Sequence, residues 1–475
     1  MRISNLRNTP AMASKATNTS QFLDENYLLP RQIGRDIYAE IKDLPIIDAH
    51  NHCDVKALAE DRNFTDIWDA EAATDHYVWE VLRKLGVKEE FITGKNTTNQ
   101  QKWNEFCRVF EDVSGNPTYE WIHLDLKRML GIQDNICPEN AETLWKQTKE
   151  ILQKPEMSQQ NLILKMNVET MCSTDDPVDT LEYHKKLQSS KLKGIVRPTF
   201  RPDKAMNIFK PDFPDYVEAL AKRWNTSIDS LDKLIAVLQK AHDFFAENGC
   251  IASDHGVNVP YGYQVNKAEA EAVFKKALAR KPLAQPEIVT YMSYVFNEVA
   301  EMDAKKNWVF QIHIGAVRDV RDSLYKALGP DVGGDISDHL TDYVTPLLPL
   351  LNRFDGRLKI VLYNMNPIHN ATLAQLTRAF GANVSLGLAW WLNDSFYGMK
   401  TQLEYASSVD LIAAMAGMVS DSRKILSYAS RHEMFRRTLA HVLGNQVELG
   451  QIHIQAARRL AKKLSYDRPK ALFGV

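Results

Sequence analysis

The side chains best suited to chemistry stand at the ends of short apolar runs. The first such run closes on Asp48-Ala-His50-Asn-His52. Side chains alternate faces along a strand, so His50 and His52 project the same way and can share one divalent metal ion. Taken alone, an HxH pair is a weak signal and fits two polar histidines at a strand end better than a metal site. Three other run ends add complementary groups: Ser253-Asp254-His255, Gln311-Ile312-His313-Ile314-Gly315 and Ser420-Asp421-Ser422-Arg423. Together His50, His52, His313 and Asp421 would form a mixed nitrogen–oxygen site with room for water or substrate. One Zn2+ is the expected ion, and the same donors accept Mn2+ or Fe2+.

Two arginines follow strands, Arg201 in Thr199-Phe200-Arg201-Pro202-Asp203-Lys204 and Arg423. A guanidinium fork suits a carboxylate. Each could also serve in an ordinary ion pair; beside a metal they point to an anionic, oxygen-rich substrate. In Asp75-His76-Tyr77, Asp75 reads as a helix cap, while His76 and Tyr77 are acid–base candidates reaching over the mouth. Asp254 is placed with the arginines among the substrate contacts. Trp390 and Trp391 serve in barrel packing or in stacking on a sugar face. There is no GxGxxG, GxxxxGK[ST] or GxSxG motif. Arg431-His432-Glu433 does not open an HExxH helix, because position 436 is Arg.

The elements that must position these groups are eight short apolar runs, at 44–48, 168–172, 194–199, 249–253, 308–314, 358–363, 383–390 and 416–420. Such runs separated by helical patterns imply buried parallel strands with helical crossovers. Helical periodicity is clear over 228–248, 287–306, 371–380 and 434–464. The expected fold is α/β, a (β/α)8 TIM-like barrel with its active site at the C-terminal strand ends. About a hundred residues separate the first two strands. They carry helical patterns at 75–85, 102–110, 119–130 and 141–152, so a helical subdomain is expected over about 75–160. A smaller helical insertion is expected over 211–248. The domain reading is a polar, disordered tail over 1–21 and a single barrel over 22–475.

Over 475 residues, 58 Lys and Arg face 60 Asp and Glu, and 44% of residues are apolar. That balance excludes a strongly basic nucleic-acid binder or a polybasic membrane protein. No run approaches the roughly 18 apolar residues of a membrane span. Five scattered cysteines without a CxxC pair fit a reducing compartment. A cytoplasmic protein is therefore expected, without nucleic-acid or membrane partners. The large helical insertion makes a homo-oligomer the expectation.

With these residues assembled, the chain resembles the uronate isomerase (glucuronate isomerase) family of the amidohydrolase superfamily, whose barrels are of the metal-dependent hydrolase type. Segments in the family's order run from Asp48-Ala-His-Asn-His52 and Asp75-His-Tyr-Val-Trp79 through Gly115-Asn-Pro117 and Pro198-Thr-Phe-Arg-Pro-Asp-Lys204. They continue with Ser253-Asp-His255, His313-Ile-Gly-Ala316, Gly329-Pro-Asp-Val-Gly333, Leu362-Tyr-Asn-Met-Asn-Pro367, Trp390-Trp-Leu-Asn-Asp394 and Asp421-Ser-Arg423. The resemblance covers nearly the whole chain from about Phe22. Ala49, Asn51, Asn364 and Leu392 depart from the family's usual residues; the metal-ligand and catalytic candidates do not. The resemblance implies aldose–ketose isomerisation of a hexuronate, D-glucuronate to D-fructuronate and D-galacturonate to D-tagaturonate. For that chemistry Asp421, Tyr77 and His76 are the expected proton carriers, with Arg201 the first choice to hold the C6 carboxylate.

Two rivals share the barrel. A mononuclear metal-dependent hydrolase, a lactonase or amidase, would activate water for attack on an acyl carbon. Many two-metal relatives carry a bridging Lys on strand four, where this chain has Ser253-Asp254-His255. The second rival is a non-catalytic sugar-acid binder, against which the intact set of candidate groups weighs.

Overall fold

A computed structural model describes residues 22–475. The tail expected over 1–21 lies outside the described residues. Seven strands line the barrel: β1 (Ile46–Asp48), β2 (Val168–Cys172), β3 (Val196–Arg197), β4 (Ala252–Val257), β5 (Val309–Ile314), β6 (Lys359–Asn364) and β7 (Val384–Leu386). All pair in parallel, β1 with β2, β2 with β3, β4 with β5, β5 with β6 and β6 with β7. Single bridges from Phe200 to Asp175 and to Ser253 join β3 to β4.

The eighth staff is too short to pair as a strand but still closes the ring. Leu388 bridges Met418. The Asp421 N–H donates to the His50 carbonyl at 3.1 Å, and the His52 N–H to the Ser422 carbonyl at 3.0 Å. Asp48 fastens this seam, accepting the Ser420 N–H at 2.8 Å and the Ser420 hydroxyl at 2.6 Å. The result is the expected (β/α)8-type barrel. Its strands read as apolar runs because helices cover their outer faces; every residue of β5 is buried.

Inside the barrel, Tyr363 donates to Gln311 at 3.0 Å, and Gln311 donates to the Ala49 carbonyl at 3.1 Å. Gly387 is required here, because a Cβ would fall 2.1 Å from the Tyr363 ring.

The helix read over 75–85 is α1 (His76–Lys84). Asp75 caps it, accepting the Tyr77 N–H, and Arg83 and Lys84 occupy its last turn. It belongs to a run of helices between β1 and β2 that includes α2 (Pro117–Asp125). These helices share an apolar cluster containing Trp68, Trp103 and Phe106, which reaches the barrel through Met171, Val196 and Leu426. Beyond them, α3 (Leu231–Glu247) and α4 (Gln285–Lys306) cover the outside of β4 and β5.

Three details differ from the sequence reading. The pattern over 434–464 is two helices, α5 (Ser427–Glu448) and α6 (Ile454–Lys462), broken where Gly450 adopts φ +70°. The fourth run begins later than expected, since Gly249 sits at φ +86° and β4 extends on to Val257. After β5 a short antiparallel ribbon, Ala316–Val317 with Ile336–Ser337, was not foreseen; two-residue strands leave no alternation to detect.

All five cysteines are free. No helix among the described residues is long and apolar enough to cross a membrane.

Candidate active site

The C-terminal ends of the strands surround a cavity of about 740 Å3, within the usual range for small-molecule sites. His50, His52 and Asp421 line it. Asp421 Oδ1 lies 3.0 Å from His50 Nε2 and 3.1 Å from His52 Nε2. The two histidines leave β1 on one face, as their spacing requires. Asp421 arrives from the eighth staff with φ +50°, a left-handed conformation that its bond to the His50 carbonyl holds in place.

Asp254 differs from expectation. It is fully buried and does not line the cavity. Its carboxylate sits 3.2 Å from His50 Nδ1, 2.7 Å from His313 Nδ1 and 3.4 Å from Arg201 Nη1. The reason is the longer β4: with Ser253-Asp254-His255 inside the strand rather than at its end, Asp254 faces inward while Ser253 and His255 face the helices. Burial opposes ionisation of Asp254, yet Arg201, His50 and His313 hold its carboxyl well below the usual range. Asp421 is likewise buried, and its hydrogen bonds from His50 and His52 keep it well below that range.

Two donor groups could hold a metal ion, His50 with His52 and Asp421, and His50 with Asp254 and His313. In the first, all three residues open on the cavity. In the second, Asp254 faces the Nδ1 atoms of both histidines, the placement of an outer carboxylate that sets ring orientation and leaves Nε2 for a ligand. His313 lies beside His50 with the rings tilted and their centroids 4.2 Å apart, and its Nε2 is buried without a hydrogen-bond partner. This unspent donor and the three converging ligands fit a divalent cation.

Arg201 and Arg423 both line the cavity. Arg201 is braced by Asp203 at 2.9 Å as well as by Asp254. A Cβ on Gly256 would fall 2.4 Å from Arg201 Nη2, so the guanidinium packs against bare backbone. Arg423 Nε is buried without a partner.

His76 opens on the cavity, its ring 5.3 Å from that of Trp391. Burial, reinforced by Arg423, lowers its pKa to about 4, so it is neutral near pH 7. Tyr77, expected over the mouth, does not line the cavity. Its hydroxyl donates to Asp394, 3.0 Å from Oδ1, and accepts the Leu392 N–H at 2.8 Å. Helix α1 sends consecutive residues about 100° apart, so His76 and Tyr77 cannot both face one point. Trp390 and Trp391 line the cavity between Ala389 and Leu392, both at positive φ (70° and 64°). Trp390 packs on His313 at 4.8 Å.

Sequence reasoning missed Arg318, which lines the cavity with its guanidinium 4.9 Å above the Trp391 ring and within 3.3 Å of Asp331. Its signal was the one that marked Arg201, an arginine just beyond a strand end. Asp394 and Arg431, paired at 2.8 Å behind Tyr77, were also passed over as chemistry.

A glucuronate isomerase family model matches residues 19–473. The uronate isomerase of Thermotoga maritima is 49% identical over 452 residues, covering 95% of this chain and 99% of that protein. Its crystal structure superposes with a TM-score of 0.93, covering 96% of this chain and 100% of that one. The glucuronate isomerase of Caulobacter crescentus superposes with a TM-score of 0.91 at 26% identity, covering 95% and 96% of the two chains.

Proposed function

The chain belongs to the glucuronate isomerase family, and from that membership we propose how its cavity interconverts an aldose and a ketose hexuronate. The reaction is D-glucuronate to D-fructuronate and D-galacturonate to D-tagaturonate. The carrying observation is that His50, His52, Asp421, His76, Arg201, Arg318 and Arg423 all open on one cavity. A hydrolase on the same barrel is not favoured, since the family match runs from residue 19 to residue 473.

His50, His52 and Asp421 would hold one divalent ion, assigned as Zn2+ from its histidine and carboxylate donors. When bound, that ion polarises a carbonyl and stabilises negative charge on the substrate oxygens. Asp254 fixes the rings of His50 and His313 from behind.

Isomerisation moves a proton from C2 to C1 and another from O2 to O1 through an enediol. Asp421, ionised, takes the C2 proton on one side and returns it at C1. Neutral His76 serves the oxygens from the other side, giving a proton to O1 and accepting one from O2. Tyr77, with its hydroxyl spent between Asp394 and the Leu392 N–H, orients the Trp390–Trp391 segment. Arg201, pre-oriented by two carboxylates, takes the C6 carboxylate, and Arg423 takes sugar oxygens.

The test is incubation with glucuronate and galacturonate separately in D2O, followed by proton NMR. Ketouronate carrying deuterium at C1 is the expected product. Hydrolysis of lactones or amides without ketouronate would replace this reading by the hydrolase, and binding without conversion would replace it by the sugar-acid binder.

A further inference from the structure

Behind the cavity, between α1, α2 and the segment that follows the eighth staff, lies a buried cluster of charges that the isomerisation itself does not use. Lys424 is the third residue after Asp421 and the next after Arg423. Its ammonium donates to Glu71 at 3.0 Å and lies 3.5 Å from Asp75 and 3.8 Å from Asp125. All four side chains are buried, none more than 5% exposed.

Three carboxyl groups around one lysine is an unusual excess of acid for a protein interior, where charges are paired or absent. Burial and the neighbouring Asp125 raise the Glu71 pKa, while the Lys424 ammonium beside it opposes that rise. Asp125, at the end of α2, also accepts Ser427 at 2.8 Å and a bond from Ser430. Asp75 caps α1 through the Tyr77 N–H at 2.9 Å. Lys424 is therefore the point at which four pieces meet: the helix Ile67–Glu71, the capped start of α1, the end of α2, and the chain bearing Asp421 and Arg423.

His76 is the first residue of α1. Its Nδ1 is buried without a hydrogen-bond partner. Its place at the cavity is set by where the helix begins. We infer that Lys424 is a positioning residue for the isomerase, holding the Asp75-capped start of α1 so that His76 faces Asp421 and Arg423 across the substrate. The inference rests on His76 acting at the site as proposed above.

A misplacement of about 1 Å in a reacting group costs on the order of 100-fold in rate. Lys424→Met should therefore lower kcat about 100-fold. Substrate binding through Arg201 persists, so KM should stay within about threefold. Asp75→Asn is the milder variant. Asn caps a helix as well as Asp does, so the cap is kept while the charge facing Lys424 is lost. Its kcat should fall about tenfold with little change in melting temperature.

Arg437→Met is the structural control. Arg437 is a buried cation that binds Glu433 and the Tyr27 carbonyl, far from His76 in the chain. It should lose melting temperature while keeping its kcat. The decisive readout is kcat and KM per folded, metal-loaded protein for all three variants and for His76→Asn. Lys424→Met turning over within about twofold of wild type would overturn the inference, as would Arg437→Met losing kcat in the same proportion. If Lys424→Met does not fold, Asp75→Asn with wild-type kcat overturns it instead. Full turnover in His76→Asn would overturn both this inference and the role given to His76. Loss in His76→Asn with none in Asp75→Asn would overturn only this one.

Discussion

The two faces of β4 carry two histidine–aspartate clusters built from adjacent residues. Inward, Asp254 meets His50, His313 and Arg201 at the floor of the cavity. Outward, Ser253 donates to Asp303 and lies 2.9 Å from His255 Nε2, and His242 Nε2 lies 2.8 Å from Asp303. Both clusters are fully buried at their carboxylates. They differ in what surrounds them. The outer one is closed by aromatic rings, with Trp308 4.0 Å from His242 and Phe310 4.3 Å from His255. Asp303 joins helix to strand there, Asp203 Oδ1 lies 3.9 Å from His255 Nδ1, and among the described residues no three donors converge there to hold an ion. The inner cluster backs onto a second carboxylate, Asp421, and onto open space. The same residue types thus lock a helix layer on one side and prepare a reactive site on the other; the difference lies in converging donors and access, not in composition.

Breaking the inner cluster should have the largest consequence. The double variant His50→Ala/His52→Ala should lose its bound metal and on the order of 10^3-fold or more in kcat, the scale of several kcal/mol of charge stabilisation. His242→Gln, in the outer cluster, should keep both. Metal analysis beside turnover decides between them, and unchanged metal in the double variant would place the ion elsewhere.

Within the inner cluster, Asp421→Asn should lower kcat by about 10^2 to 10^4, the range for a lost general base. Tyr77→Phe should cost no more than about tenfold, since its hydroxyl makes structural hydrogen bonds. Near-wild-type turnover in Asp421→Asn would sink its role. Arg201→Met should act mainly on KM, by about 10- to 150-fold, because a charge-assisted bond of roughly 1.5–3 kcal/mol persists from ground to transition state. An unchanged KM would move the anchor to Arg423. In the outer cluster, Asp303→Asn should cost about 1–3 kcal/mol of stability while leaving kcat within twofold. A large kcat loss there would erase the distinction between the two faces.

The barrel was legible because parallel strands buried on both faces read as apolar runs, and because capping chemistry is local, as at Asp75. The metal-site candidates were legible because their residue types are rare at strand ends. What could not be read was direction at single-residue resolution. One shift in where β4 begins turns Asp254 inward and His255 outward. One step along α1 separates His76, on the cavity, from Tyr77, behind it. The ribbon after β5 was hidden because two-residue strands have no period, although Arg318, just beyond it, carried the same signal as Arg201. Lys424 was invisible for a different reason, because Glu71, Asp75 and Asp125 lie far from it in the chain and only tertiary packing brings them to it.

A buried histidine far from either cluster sets the lower end of the scale. His123, in α2, accepts the Ile136 N–H on Nε2 at 2.9 Å, which fixes its proton on Nδ1, where it donates to the Tyr119 carbonyl at 2.9 Å. Burial lowers its pKa to about 4. The folded value lies below the unfolded one of about 6.5, so the folded chain binds fewer protons between them. Its contribution is full above pH 6.5 and is lost as pH falls toward 4. From pH 7 to 5.5 that loss is roughly 1 kcal/mol. Buried carboxyls act in the opposite direction over part of this range: burial raises Asp48 to about 6 and Asp175 to about 7, so they favour the folded state as pH falls. The wild-type profile alone therefore cannot isolate His123, but a comparison with His123→Asn can, since both proteins share the carboxyls. The variant should be less stable at pH 7 yet lose about 1 kcal/mol less on going to pH 5.5 in denaturant unfolding, with its kcat at pH 7 unchanged. Parallel stability profiles for the two proteins would show that protonation of His123 is not coupled to unfolding.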